Sequence, residues 1–169
     1  MKTFLTNKKA CPPERMFGSR RGITLIEILI VLAGMGILFA IIVPQFSQIR
    51  ENQVLKTAVA DVLSTVDKAR SQTLASKDSS EYGVHFQSDK VIIFKGIIFS
   101  DIDPNNVITD IILPANISNV TLGGISDVSG DMYFNRIYGA PNTNGTITIS
   151  SPSSSRIITI YQSGSVSAN

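Results

Sequence analysis

The chain has 169 residues, 43% of them hydrophobic, with 15 basic and 13 acidic side chains, one histidine and one cysteine. One thiol excludes an intramolecular disulfide, and one thiol with one imidazole falls short of the common four-ligand zinc sites. The formal charge of +2 is small and comes from the N-terminus, so it gives no ground for nucleic-acid binding.

Residues 1–22 carry Lys2, Lys8, Lys9, Arg15, Arg20 and Arg21 against one acid, Glu14. The stretch that follows, from Gly22 to Pro44, reads GITLIEILIVLAGMGILFAIIVP. Its 21 residues Ile23–Val43 make a helix of roughly 31 Å at 1.5 Å per residue, against about 30 Å of bilayer hydrocarbon. Apolar side chains occupy every face and leave no stripe for water, so the pattern predicts a transmembrane helix over residues 23–43. The basic residues before it place the N-terminus in the cytoplasm and send the rest across the membrane. Cys11 precedes the apolar segment instead of ending it, which excludes a lipoprotein anchor.

Glu27 is the one charge inside this segment. A carboxylate near the centre of a bilayer costs roughly 2.5–3.5 kcal/mol, so it needs either a route to the headgroups or a cation. Both readings stand on the sequence. Cleavage after Gly22 would create the cation, an α-amino group on Ile23 four residues before Glu27.

The run Arg20-Arg21-Gly22-Ile23-Thr24-Leu25-Ile26-Glu27, followed by the apolar helix and Pro44, resembles the class III signal of type IV prepilins and type II secretion pseudopilins. The resemblance implies that a prepilin peptidase cuts after Gly22 and methylates Ile23, leaving the hydrophobic segment in the product. It also implies storage in the bacterial inner membrane among lipid, with the C-terminal domain periplasmic. A cytoplasmic ATPase and an inner-membrane assembly platform would then draw subunits into a filament beside other pilin or pseudopilin subunits. Glu27 and Pro44 would serve assembly, with Glu27 pairing with the amino group of Ile23 on a neighbour. One position departs from the pattern: Ile23 stands where Phe is commonest. Removal of residues 1–22 would leave nine basic and 12 acidic side chains, a charge of −3, and no cysteine.

Over residues 44–77 the apolar positions Leu55, Val59, Val62, Leu63, Val66 and Ala69 recur mostly at spacings of three and four, while Arg50, Lys56, Asp61, Asp67 and Lys68 take the other faces. This predicts an amphipathic helix laid on a soluble domain. Pro44 cannot donate to the carbonyl of Ala40, so a kink within one helix from Ile23 to about Ser76, or a break between two helices, is expected there.

Residues 78–169 shift to Ile, Val, Thr, Ser, Asn and Gly. Strands are expected over Tyr82–Phe86, Lys90–Lys95, Val107–Leu113, Asn119–Leu122, Met132–Ile137, Thr146–Ser150, Ile157–Gln162 and Ser165–Ser167. Turns fall at Phe86–Lys90 and Gln162–Ser165, with exposed loops over residues 140–145 and the serines from Ser150 to Ser155. The whole is an α+β fold of pilin-like plan, a long N-terminal helix packed on an antiparallel β domain of two small sheets. Ala69-Arg70-Ser71-Gln72-Thr73-Leu74-Ala75, the later Gly145-Thr146-Ile147-Thr148-Ile149 and the turn Ser163-Gly164-Ser165-Val166 are similar to the H-type minor pseudopilins and FimT-like minor pilins. Those relatives commonly have Arg after the glycine of the last turn, where this chain has Ser165.

Few residues are placed for chemistry. His85 falls opposite Tyr82, Val84 and Phe86 in strand alternation and reads as a polar-face side chain. Asp101-Ile102-Asp103-Pro104-Asn105-Asn106 has the oxygen-rich spacing of a calcium loop but lacks the turn glycine and the bidentate acid, and Asx-turns account for it. The expectation is a structural, non-enzymatic protein without cofactor or metal: a minor pseudopilin of a type II secretion system. The alternatives are a minor type IV pilin, including one that takes up DNA, and a membrane-tethered binding module or enzyme. Residues 140–169 contain only Arg156 as a basic residue, too little for a phosphate-binding surface.

Overall fold

The structure, a computed structural model, describes residues 22–169; Arg20 and Arg21 lie outside the described residues. Helix α1 spans Leu25–Leu74 and includes Pro44, so one helix forms where two were the alternative. The chain divides into two compact units after Ala40.

In the second unit, Leu55, Ala58, Val59, Val62, Val66, Ala69 and Thr73 of α1 are buried. Steps of three and four bring them to one face, which is the amphipathic stripe expected from the sequence. The helix stops because Ser76 turns left-handed, at φ 47°, with its N–H bonded to the carbonyl of Thr73. A single 3₁₀ turn, Lys77–Ser79, leads into the sheets.

Two antiparallel sheets follow. Strands β1 (Tyr82–Phe86), β2 (Lys90–Lys95), β3 (Val107–Asp110) and β6 (Gly130–Tyr133) form one, in the order β3-β2-β1-β6. The other holds β4 (Asn116–Leu122), β5 (Ile125–Asp127), β7 (Gly145–Ser151), β8 (Ser154–Ile160) and β9 (Val166–Ala168), in the order β5-β4-β7-β8-β9. Tyr82, Val84 and Phe86 alternate into a core shared with the α1 stripe, Ile147 and Ile149 of β7, and Ile158 and Ile160 of β8. A bulge between Ile117 and Asn119 lets Ile117 and Val120 both face that core although three residues apart.

The opposite face of the first sheet is also covered. Ile92 and Phe94 are buried there, and Phe99 from the β2–β3 loop packs edge-on against Phe94 at 5.6 Å between ring centroids.

Several boundaries differ from the sequence expectation, each for a reason of pairing. β3 ends at Asp110 because its partner β2 begins at Lys90, the residue opposite. Ile111 then donates its N–H to Asp89 and turns into the core. β6 runs from Gly130 to Tyr133, paired with β1 from Phe86 to Gly83; the next residue, Phe134, still donates its N–H to the Tyr82 carbonyl at 3.0 Å and forms an isolated bridge with Pro141. β5, unforeseen, exists through its pairing with β4. The serines expected in an exposed loop are largely strand: Ser150 pairs with Ser155 and Ser151 with Ser154, leaving only Pro152 and Ser153 to turn.

Candidate assembly and processing segment

Gly22, Ile23 and Thr24 precede the first turn of α1 as non-helical, exposed backbone. Thr24 caps the helix: its Oγ1 accepts the N–H of Glu27 at 3.3 Å, and its carbonyl accepts the N–H of Ile28 at 3.3 Å. Thr24-Leu25-Ile26-Glu27 is thus the T-x-x-E of a capping box, with the threonine half formed. The T-x-x-E spacing alone carries that role, inside the longer run from Arg20 to Glu27. The cap fixes where the helix begins and leaves Ile23, which is 72% exposed, as the last residue free of it.

Gly22 has no structural need to be glycine. A Cβ built there meets nothing within 4 Å among the described residues, and its φ is not left-handed. Glu27 lies in the first helical turn, where the partial positive charge of the helix N-terminus favours a carboxylate. It is exposed, and among the described residues no side chain bonds its carboxylate or pairs with it. Every residue from Ile23 to Val43 is exposed as well. The segment is long and apolar enough to cross a membrane.

Pro44 lies on α1 beyond the apolar stretch. Gly22 and Ile23 lie on the backbone before α1, and Glu27 on its first turn.

A second feature joins the far end of α1 to the sheets. Arg70 donates from Nε to the carbonyl of Gly139 at 3.0 Å and from Nη2 to the carbonyl of Ser163 at 3.0 Å. Gly164, at φ +81°, leaves room for this fork: a Cβ would sit 2.7 Å from Arg70 Nε and overlap the Gly139 carbonyl. One side chain therefore ties the helix end to the 135–139 loop and to the last turn. Its partners are 69 and 93 residues away, so no local pattern announced it.

His85 does sit opposite the core face of β1, but it does not face open water. Phe99 stacks on it at 3.9 Å and 5°, its Nδ1 bonds Asp131, and its Nε2 lies 2.9 Å from the Gln87 amide nitrogen. Asp103 forms the Asx-turn, its Oδ1 accepting Asn105 N–H at 2.9 Å and Asn105 Nδ2 at 2.8 Å. Those bonds, the backbone one foremost, hold its carboxyl below the usual aspartate range. Tyr82 is pushed above the ordinary tyrosine value by burial of its ring, then by its hydrogen bond to Asp78 and that residue's charge.

Comparison with models of protein families, with curated proteins and with solved structures finds no match to this chain.

Proposed function

We propose that this chain is a pilin-like filament subunit, held in the bacterial inner membrane by residues 23–43 and cut after Gly22 by a prepilin peptidase. Its assembly would be driven through α1, with the domain of residues 78–169 periplasmic. The observation that carries this reading is an exposed Gly22–Ile23 junction, set one residue before a capped helix whose apolar first part, through Val43, is exposed. Within that class a minor pseudopilin of a type II secretion system fits the Arg70-containing helix end and the glycine turn at Gly164.

The mechanism follows from Glu27. While the subunit is stored in the membrane, the acid sits in the first helical turn, close to the headgroups. In a filament core it is packed among neighbouring helices, and the new amino group on Ile23 of an adjacent subunit supplies its cation. Leaving one member of such a desolvated pair alone costs about 3–5 kcal/mol, which favours the register in which the two meet.

Processed wild type and Glu27→Gln, expressed at matched levels, are compared by recovery in sheared filaments or cross-linked assemblies. The variant is expected to insert, lose residues 1–22 and fold, yet to be recovered at a small fraction of the wild-type level. Equal recovery of a fully processed variant overturns the pairing.

A further inference from the structure

We propose that the outer face of the five-stranded sheet binds a neutral, extended polysaccharide. This inference goes beyond the filament reading and does not depend on it. The strand register sets one hydroxyl on every strand in a single rank across the sheet. Ser126 of β5 is opposite Thr121 of β4, and Thr121 is opposite Thr146 of β7. Thr146 is opposite Thr159 of β8, and Thr159 is opposite Ser167 of β9. Directly opposed residues share a face, and alternation makes it the reverse of the face on which Val120, Ile147, Ile158 and Ile160 enter the core. A second rank beside it holds Asn119, Thr148 and Ile157.

No charged side chain alternates onto this face. The two charged residues of these strands are on the core side in register: Asp127 is opposite Val120 and Arg156 is opposite Ile149. The two ends of the hydroxyl rank are committed within the chain. Ser126 Oγ donates to Asn119 Oδ1 at 2.8 Å, and Thr121 Oγ1 donates to Ser126 Oγ at 3.2 Å. At the β9 end Tyr161 Oη lies 3.3 Å from Ser167 Oγ, which puts the phenol on the same face. Between these ends Thr146, Thr148 and Thr159 make no side-chain hydrogen bond among the described residues, and their hydroxyls are not shut off from solvent. Thr–Thr hydrogen bonds are one way in which facing strands stabilise each other, yet Thr146 and Thr159 are opposite and do not use it.

The middle of the face is therefore an open row of groups that both donate and accept, with methyls beside them. Ile157 and Tyr161, 46% and 48% exposed, add apolar area. The matching ligand is uncharged and alternates hydroxyls with C–H surface, which is the composition of a neutral β-linked glycan. Adjacent strands repeat about every 4.8 Å, close to the length of one sugar residue in an extended chain, so a glycan lying across the strands meets a fresh hydroxyl at each residue. The Tyr161 ring gives a sugar face an apolar platform. A polyanion finds no cation here to offset its charge.

The test uses the full chain, purified in a detergent without a sugar headgroup and titrated in a calorimeter with cellohexaose and with chitohexaose. Polygalacturonate and single-stranded DNA are the charged comparisons. The expected result is saturable binding to at least one of the two neutral glycans, unchanged between low and high salt, and none to either polyanion. Thr146→Val combined with Thr159→Val removes two hydroxyls, keeps branched side chains suited to a strand, and should weaken binding about tenfold. Tyr161→Ala should weaken it by a similar factor, whereas Tyr161→Phe, which keeps the ring, should retain most of it. Wild type that binds neither neutral glycan overturns the proposal, as does glycan binding that disappears in high salt. Glycan binding as tight in the double valine variant as in wild type overturns it too.

Discussion

The Nε of Arg70 donates to the carbonyl of Gly139 at 3.0 Å, and through that bond the end of the helix determines the position of a loop 69 residues later. The guanidinium is shared with the Ser163 carbonyl, a planar fork that lysine's single ammonium does not reproduce. Arg70→Ala is expected to destabilise the chain by about 1.5–3 kcal/mol, the range for hydrogen bonds from a charged group. Arg70→Lys should recover less than half of this. Denaturant titration of the chain in detergent gives the loss, and amide exchange should quicken at residues 135–139 and 163–165 first.

The local elements were legible from patterns within each run: β1 and β2 occupy the residues that short stretches of Val, Ile and Phe between turn signals indicated. The buried face of α1 was legible for the same reason, its apolar residues recurring at helical spacing. What escaped depended on partners remote in sequence. Ile125-Ser126-Asp127 is exposed throughout and becomes a strand only because β4 pairs with it. Serines at the β7–β8 turn carry turn propensity, yet the register continues through them to Ser151 and Ser154. At the start of α1, Glu27 and Gly22 stood out by charge and position. Thr24 was equally visible as a T-x-x-E cap, whereas Thr121, Thr146 and Thr159 become one rank only once the strand register is known.

Glycine at two positions answers to opposite causes, and substitution separates them. At Gly145 a Cβ would overlap the Thr121 carbonyl on the paired strand, so Gly145→Ala must shift backbone and should cost about 2–3 kcal/mol. Gly22→Ala meets open space and should leave the thermal midpoint unchanged. Parallel melts of the two variants check both outcomes.

Alkaline pH should weaken the fold through Tyr82. Its hydroxyl donates to Asp78 Oδ2 at 2.9 Å, and burial together with that acid raises its pKa. The neutral phenol is therefore favoured when folded. The stability this represents is fully present below the unfolded tyrosine value of about 10, and is lost as pH rises from there through the higher folded value. Tyr82→Phe should remove that part of the alkaline loss. Tyrosinate absorbance followed against pH in the folded chain, beside stability at each pH, measures it.

The mass of the chain after co-expression with a prepilin peptidase tests the central claim most directly. The proposal predicts a single membrane-bound product beginning at Ile23, and an uncut precursor when Gly22 is replaced by a bulky residue. A product that retains residues 1–22, or one that begins beyond Val43, would contradict it.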